Sequence, residues 1–170
     1  MKISVFLFLG VISRLIPHPA NFTPVGALIL NSSKNKPWHG VFLAVSIMII
    51  SDIFLGFSFA SPFVYLGMAS YALFGKILNK KFGVLLAPVL GAISFFLISN
   101  FGVWLGPWYE HSLNGLISCY ILALPFFQNT ILGDIFFTIL IFATLKMYQV
   151  AKEGNLLWQR NYQKGILRKS

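Results

Sequence analysis

From Gly83 to Leu105 the chain runs "GVLLAPVLGAISFFLISNFGVWL", without one charged side chain. A bilayer's hydrocarbon core takes about 20 apolar residues of helix, and a helix apolar on every side must be buried in protein or in lipid. Further apolar runs cover Val41 to Phe57, Phe63 to Leu78 and Thr130 to about Met147. A shorter run spans Ile3 to about Ile16, and a still shorter one Phe22 to Leu30. Only 10% of the 170 residues are charged, against about a quarter in a soluble domain. The chain is therefore expected to be an all-α, polytopic integral membrane protein. It should have about six transmembrane helices, the second of them broken or short. Residues 1–150 are read as one transmembrane domain and residues 151–170 as a basic cytoplasmic C-terminal tail.

The first run resembles a signal peptide, with Lys2 ahead of an apolar stretch. It lacks an A-x-A pattern and a second apolar stretch follows at once, so it is expected to stay in place. The single cysteine, Cys119, excludes an internal disulfide and a multi-thiolate metal site.

The net charge of +9 would suggest nucleic acid in a soluble protein. Here the basic residues sit in short clusters between apolar runs: Lys2, Lys34 with Lys36, Lys76 to Lys81, and the tail from Lys146 to Lys169. With six crossings all of them share one side, which the positive-inside rule makes cytoplasmic, together with both termini. No nucleic-acid partner is expected. The connections at "PHPAN", "FSFASP" and Gly106 to Asn129 then lie outside. Within the last of these, Leu113 to Phe127 is open between a partial re-entrant helix and a helix at the outer interface.

An ionisable side chain in mid-membrane costs about 2.5–3.5 kcal/mol on insertion scales, and so calls for a partner or a cavity. Arg14, Asp52 and Asp134 are such groups, and Asn100 joins them as a strong hydrogen-bonding group. Each lies within a few residues of the outer end of its span, so at about 1.5 Å per residue they fall within roughly one turn of a common plane. Thr130, Asp134 and Thr138 share one face of the last helix. On the fifth, Gly83, Ala87 and Gly91 form a stripe suited to close helix contact.

"RLIPHPANFTP", Arg14 to Pro24, lies just above this plane. Pro17 and Pro19 stop the first helix. Asn21 or Thr23 is expected to cap the next, with Pro24 in its first turn. Freed backbone groups at that depth must be buried in protein or line a wet cavity. The break is thus a candidate wall for a ligand pocket, with His18 and Asn21 facing it.

The stretches "SRLIPHPANFTPVGALIL", "SDIFLGF", "SNFGVW" and "LPFFQNTILGD", spread from Ser13 to Asp134, resemble recurring motifs of a family of small, uncharacterised bacterial membrane proteins. More distantly the pattern resembles the substrate-binding S components of energy-coupling factor (ECF) transporters. In those six-helix proteins a proline-containing segment follows the first helix, as "NFTPVGALIL" does here. Two features depart from that pattern: Ile3 to Ile16 holds no Ala-x-x-x-Ala docking motif, and the chain begins Met1, Lys2, Ile3 rather than with the histidine of cobalt and nickel members.

The resemblance implies an S-component-like bundle in the cytoplasmic (inner) membrane that takes up a small polar or vitamin-like molecule. The implied partners are a transmembrane coupling subunit and ATPases, because the chain has no GxxxxGK[ST] sequence of its own. Arg14 is expected to hold an anionic group, Asp52, Asn100 and Asp134 to orient polar atoms, and Trp104 to cover an aromatic ring. The competing reading is an accessory subunit whose buried charges only lock helices together. No H-E-x-x-H, G-x-S-x-G or Cys/His cluster points to an enzyme. No cofactor or metal is expected.

Overall fold

In a computed structural model, residues 3–167 are described, with side chains for residues 3–154. Lys2 and the side chains of the tail beyond Gly154, Trp158 and Tyr162 included, lie outside the described residues. Among the described residues every regular element is a helix and there is no strand: α1 Ile3–Leu15, α2 Val25–Ser33, α3 Pro37–Leu55, α4 Ser61–Ser70, a 3-10 helix Tyr71–Asn79, α5 Gly83–Trp104, α6 Leu113–Leu122 and α7 Leu124–Leu167. The chain divides into two compact units between Ile139 and Leu140, within α7. The second is the remainder of that helix, and the bundle described here is the first.

Three helices are long and apolar enough to cross a membrane: α3, α5 and the Leu124–Gly154 part of α7. Only 39%, 33% and 22% of their most apolar windows are buried, so most of their apolar surface faces outward. Phe54, Leu73, Phe8 and Ile53 are among many large apolar side chains more than half exposed. So many exposed large apolar side chains are stable against lipid and rare on soluble monomers.

Pairs of close contacts give the direction of each helix. Gly10 faces Ile47 and Arg14 meets Asp52, so α1 and α3 run parallel. Phe63 faces Gly102, Phe95 faces Gly67, Tyr71 faces Gly91 and Ile77 faces Gly83. The segment Ser61–Asn79 is therefore antiparallel to α5 along its whole length. The Gly83, Ala87, Gly91 stripe is the surface on which the 3-10 helix rests, with Ala87 fully buried. Lys34, Lys36, Lys80 and Lys81 consequently share one end of the bundle, and the loops at the opposite end carry neither lysine nor arginine.

The shortest helix is the most enclosed. In α2 every residue except Ser32 is buried, because α1, α3, α4, α5 and the 3-10 helix all pack on it. A nine-residue helix apolar on nearly every side is stable there because neighbours replace the lipid it cannot reach.

The expected fourth span, Phe63 to Leu78, is one segment with two geometries. It is α-helical through Ser70 and 3-10 from Tyr71. The 3-10 part rises about 2.0 Å per residue instead of about 1.5, so Phe63 to Leu78 is roughly 28 Å long rather than the roughly 24 Å of an unbroken α-helix. The last span begins at Leu124 rather than Thr130, with only Ala123 between it and α6. The stretch Leu113 to Phe127 is thus split. Its first part packs beside α5, where Tyr120 donates to the Leu97 carbonyl at 2.6 Å, and its second part opens α7.

The break after α1 also differs from expectation. Neither Asn21 nor Thr23 caps α2; Pro24 occupies the cap position without a side-chain bond, and its carbonyl accepts from Leu28. Asn21 instead makes the turn, with φ +62°, while Phe22 N–H donates to the Pro19 carbonyl at 3.0 Å. Asn129 of α7 donates to the Ala20 carbonyl at 3.1 Å. Because a branched Cβ is strained at positive φ, Asn21→Val should lower stability by about 1–2 kcal/mol, whereas Asn21→Gly should be nearly neutral. Thermal unfolding of the two variants in detergent checks this.

Candidate functional site

The parallel register of α1 and α3 brings the last turn of α1 against Met48, Ser51 and Asp52. Arg14 Nη1 lies 2.8 Å from Asp52 Oδ1, donates to Ser51 Oγ, and reaches the Met48 carbonyl at 3.4 Å. The second Asp52 oxygen accepts from the Tyr65 hydroxyl at 2.7 Å. Asp52 therefore has a partner on each oxygen. Arg14 is differently placed. All three contacts use one terminal nitrogen, while its side chain keeps 19% of its surface open. The remaining guanidinium N–H groups have no protein partner among the described residues.

Asp134 belongs to the other polar pair. It stands on α7 between Thr130 and Thr138, and all three are buried, as their common face requires. The fully buried Tyr71 donates its hydroxyl to Asp134 Oδ2. The ring sits in a slot between two glycines: a Cβ on Gly26 would lie 2.7 Å from it, and one on Gly91 2.3 Å. The same Gly26 Cβ would lie 2.3 Å from Asp134 Oδ1. Among the described residues Asp134 has no cationic partner.

A cavity of about 170 Å³ joins the two pairs, with Arg14, His18, Asn21, Tyr71, Thr130 and Asp134 among its lining residues. Exposed His18 and Asn21 mark its rim. A second cavity of about 300 Å³ is mainly apolar and is lined by Phe95, Phe96, Phe126 and Phe127, with Ser99 and Asn100. Asn21, Val64, Phe95 and Thr130 line both, so the cavities adjoin.

Of the residues expected at a site, Arg14, His18, Asn21 and Asp134 meet at the first cavity and Asn100 lines the second. Asn100 spends one amide donor on the Phe96 carbonyl at 2.8 Å. Asp52 lines neither cavity; it stands behind Arg14 and holds it. Trp104 also lines neither. Its indole N–H donates to the Glu110 carbonyl at 3.0 Å, and its ring packs 5.5 Å from Phe101 and 5.7 Å from His111. Sequence reasoning passed over Tyr71 and Tyr65. Their signal was a phenol inside an apolar run, which must find a hydrogen-bond partner when buried.

No curated protein and no solved structure matches the chain. A family model matches residues 1–156, which takes in every helix that lines the two cavities. The chain belongs to that family, described as a family of unknown function (DUF6580).

Proposed function

We propose that the protein is a membrane-embedded binding component for uptake of a small polar or vitamin-like molecule, energised by partner subunits. The observation that carries this reading is the cavity between Arg14 and Asp134. Its lining includes an arginine held through a single nitrogen and a carboxyl group whose partner among the described residues is a phenol. Pockets that bind small molecules combine apolar walls with a few convergent polar groups, and the adjoining apolar cavity supplies the walls.

In this reading the chain crosses the membrane six times. The lysine end of the bundle and both termini face the cytoplasm, and the cavity opens outside beneath the His18 loop. That arrangement is the one the sequence's resemblance to ECF S components implies. The resemblance also implies a transmembrane coupling subunit and ATPases as partners, and an inner-membrane location. A second reading has its own support. Asp52 is engaged on both oxygens within the bundle, as expected of an accessory subunit whose charges lock helices.

A ligand-dependent thermal shift separates the two. Purified protein in detergent is screened against vitamins, nucleobases, amino acids and metal ions. A ligand that binds only the folded state raises stability by about 2.7 kcal/mol at a hundredfold excess over Kd. Arg14→Lys preserves a charge for Asp52 but withdraws the planar fork, and His18→Ala alters only the rim. Loss of the shift in these variants, at unchanged base stability, is the expected outcome. A screen without a shift, together with destabilised Arg14→Lys protein, would favour the helix-locking role.

A further inference from the structure

We infer that the ligand of this cavity is amphoteric, with a protonated amine seated on Asp134 and an acidic group on the unused edge of Arg14. This rests on the binding reading above and names its ligand class. The case for the amine is one of charge balance, and the case for the acidic group is one of unused donors. Around the first cavity Arg14 is matched by Asp52 at 2.8 Å, which leaves the Asp134 carboxyl group over. That group is only 4% exposed, and its partner among the described residues is the neutral Tyr71 hydroxyl. A carboxylate withdrawn from water without a cation is costly, and a ligand ammonium group offsets part of that cost on entry. His18, the other basic side chain on the cavity, sits exposed at its rim, away from this enclosed setting.

The same cavity presents unused guanidinium donors. An arginine fork is suited to a carboxylate or phosphate, and it holds that group by geometry as well as by charge. Cation and anion seats on one cavity of about 170 Å³ select a compact molecule carrying both charges. A less polar extension would enter the adjoining cavity, lined by four phenylalanines.

The probes are α,ω-amino acids from glycine to 6-aminohexanoate. Each is compared with the carboxylate of equal length lacking the amine, and with its N-acetyl derivative. Titration calorimetry on the full chain in detergent reads the Kd. One chain length should bind at least tenfold more tightly than both controls, and Asp134→Asn should abolish that preference while Arg14-dependent binding of the carboxylate persists. The N-acetyl comparison needs no substitution, so it decides the matter even if Asp134→Asn fails to fold.

Equal binding of the amine-free or acetylated probes would overturn the inference and leave the binding component standing. The same holds if no amino acid binds but the wider screen yields a ligand without an amine. Silence in both experiments would overturn both. Undiminished preference in Asp134→Asn would also overturn it, by showing that the carboxyl group does not hold the amine.

Discussion

Tyr71→Ala should be among the most destabilising single substitutions in the protein. It deletes a fully buried ring from the slot between Gly26 and Gly91, a change that costs about 3–5 kcal/mol for aromatic side chains in packed interiors. It also strips Asp134 of its hydrogen-bond partner, which adds about 1–3 kcal/mol. Tyr71→Phe separates the two effects, because the ring stays and only the hydroxyl goes. Denaturant unfolding in detergent, followed by circular dichroism, should give a loss of about 1–3 kcal/mol for Tyr71→Phe and clearly more for Tyr71→Ala. Equal losses would mean that the hydrogen bond, not the packed ring, carries the stability.

Arg14→Gln should cost about 3–5 kcal/mol, the usual consequence of leaving one member of a buried ion pair alone. Asp52 is the member left behind, and it is 7% exposed with only the Tyr65 hydroxyl as a remaining strong partner. Asp52→Asn should cost less, because Arg14 retains access to the cavity and 19% of its surface. The double variant should recover most of the loss, since removing both charges removes the desolvation penalty with them. A double-mutant cycle measures this directly, and strictly additive losses would show that the two groups do not act as a pair. Because stability and ligand capture meet at Arg14, Arg14→Lys is the variant that probes binding.

Much of the architecture was legible along the chain. The break after Arg14, the length of α3 and α5, and the shared face of Thr130, Asp134 and Thr138 all follow from residues within a few turns of one another. The 3-10 geometry of Tyr71–Asn79 was not legible. "YALFGKILN" is composed like any apolar helix, and nothing local calls for the tighter winding. The segment is instead tightly packed on elements distant in the chain: Gly75 lies where a Cβ would come within 2.4 Å of Ser33 Cβ, and Gly91 lies against the Tyr71 ring. The start of the last helix was misread for a similar reason. It was expected at Thr130 and lies at Leu124, because proline is tolerated in a helix's first turn and Asn129 finds its partner at Ala20.

The candidate site divides in the same way. The sequence by itself determined which groups were too polar for their surroundings, Arg14, Asp52, Asn100 and Asp134, because burial cost is a property of each residue and its immediate neighbours. Only the tertiary structure decided how they were satisfied. Asp52 became the support for Arg14, Asn100 went to an adjoining apolar cavity, Trp104 packed away from both, and Asp134 met a tyrosine 63 residues earlier in the chain. Those outcomes depend on helix register, and register is set where glycines admit a neighbour's side chain, Gly10 to Ile47, Gly26 to Asp134 and Gly91 to Tyr71. Such contacts join residues far apart in the chain, and no local pattern of side chains encodes which of them will touch.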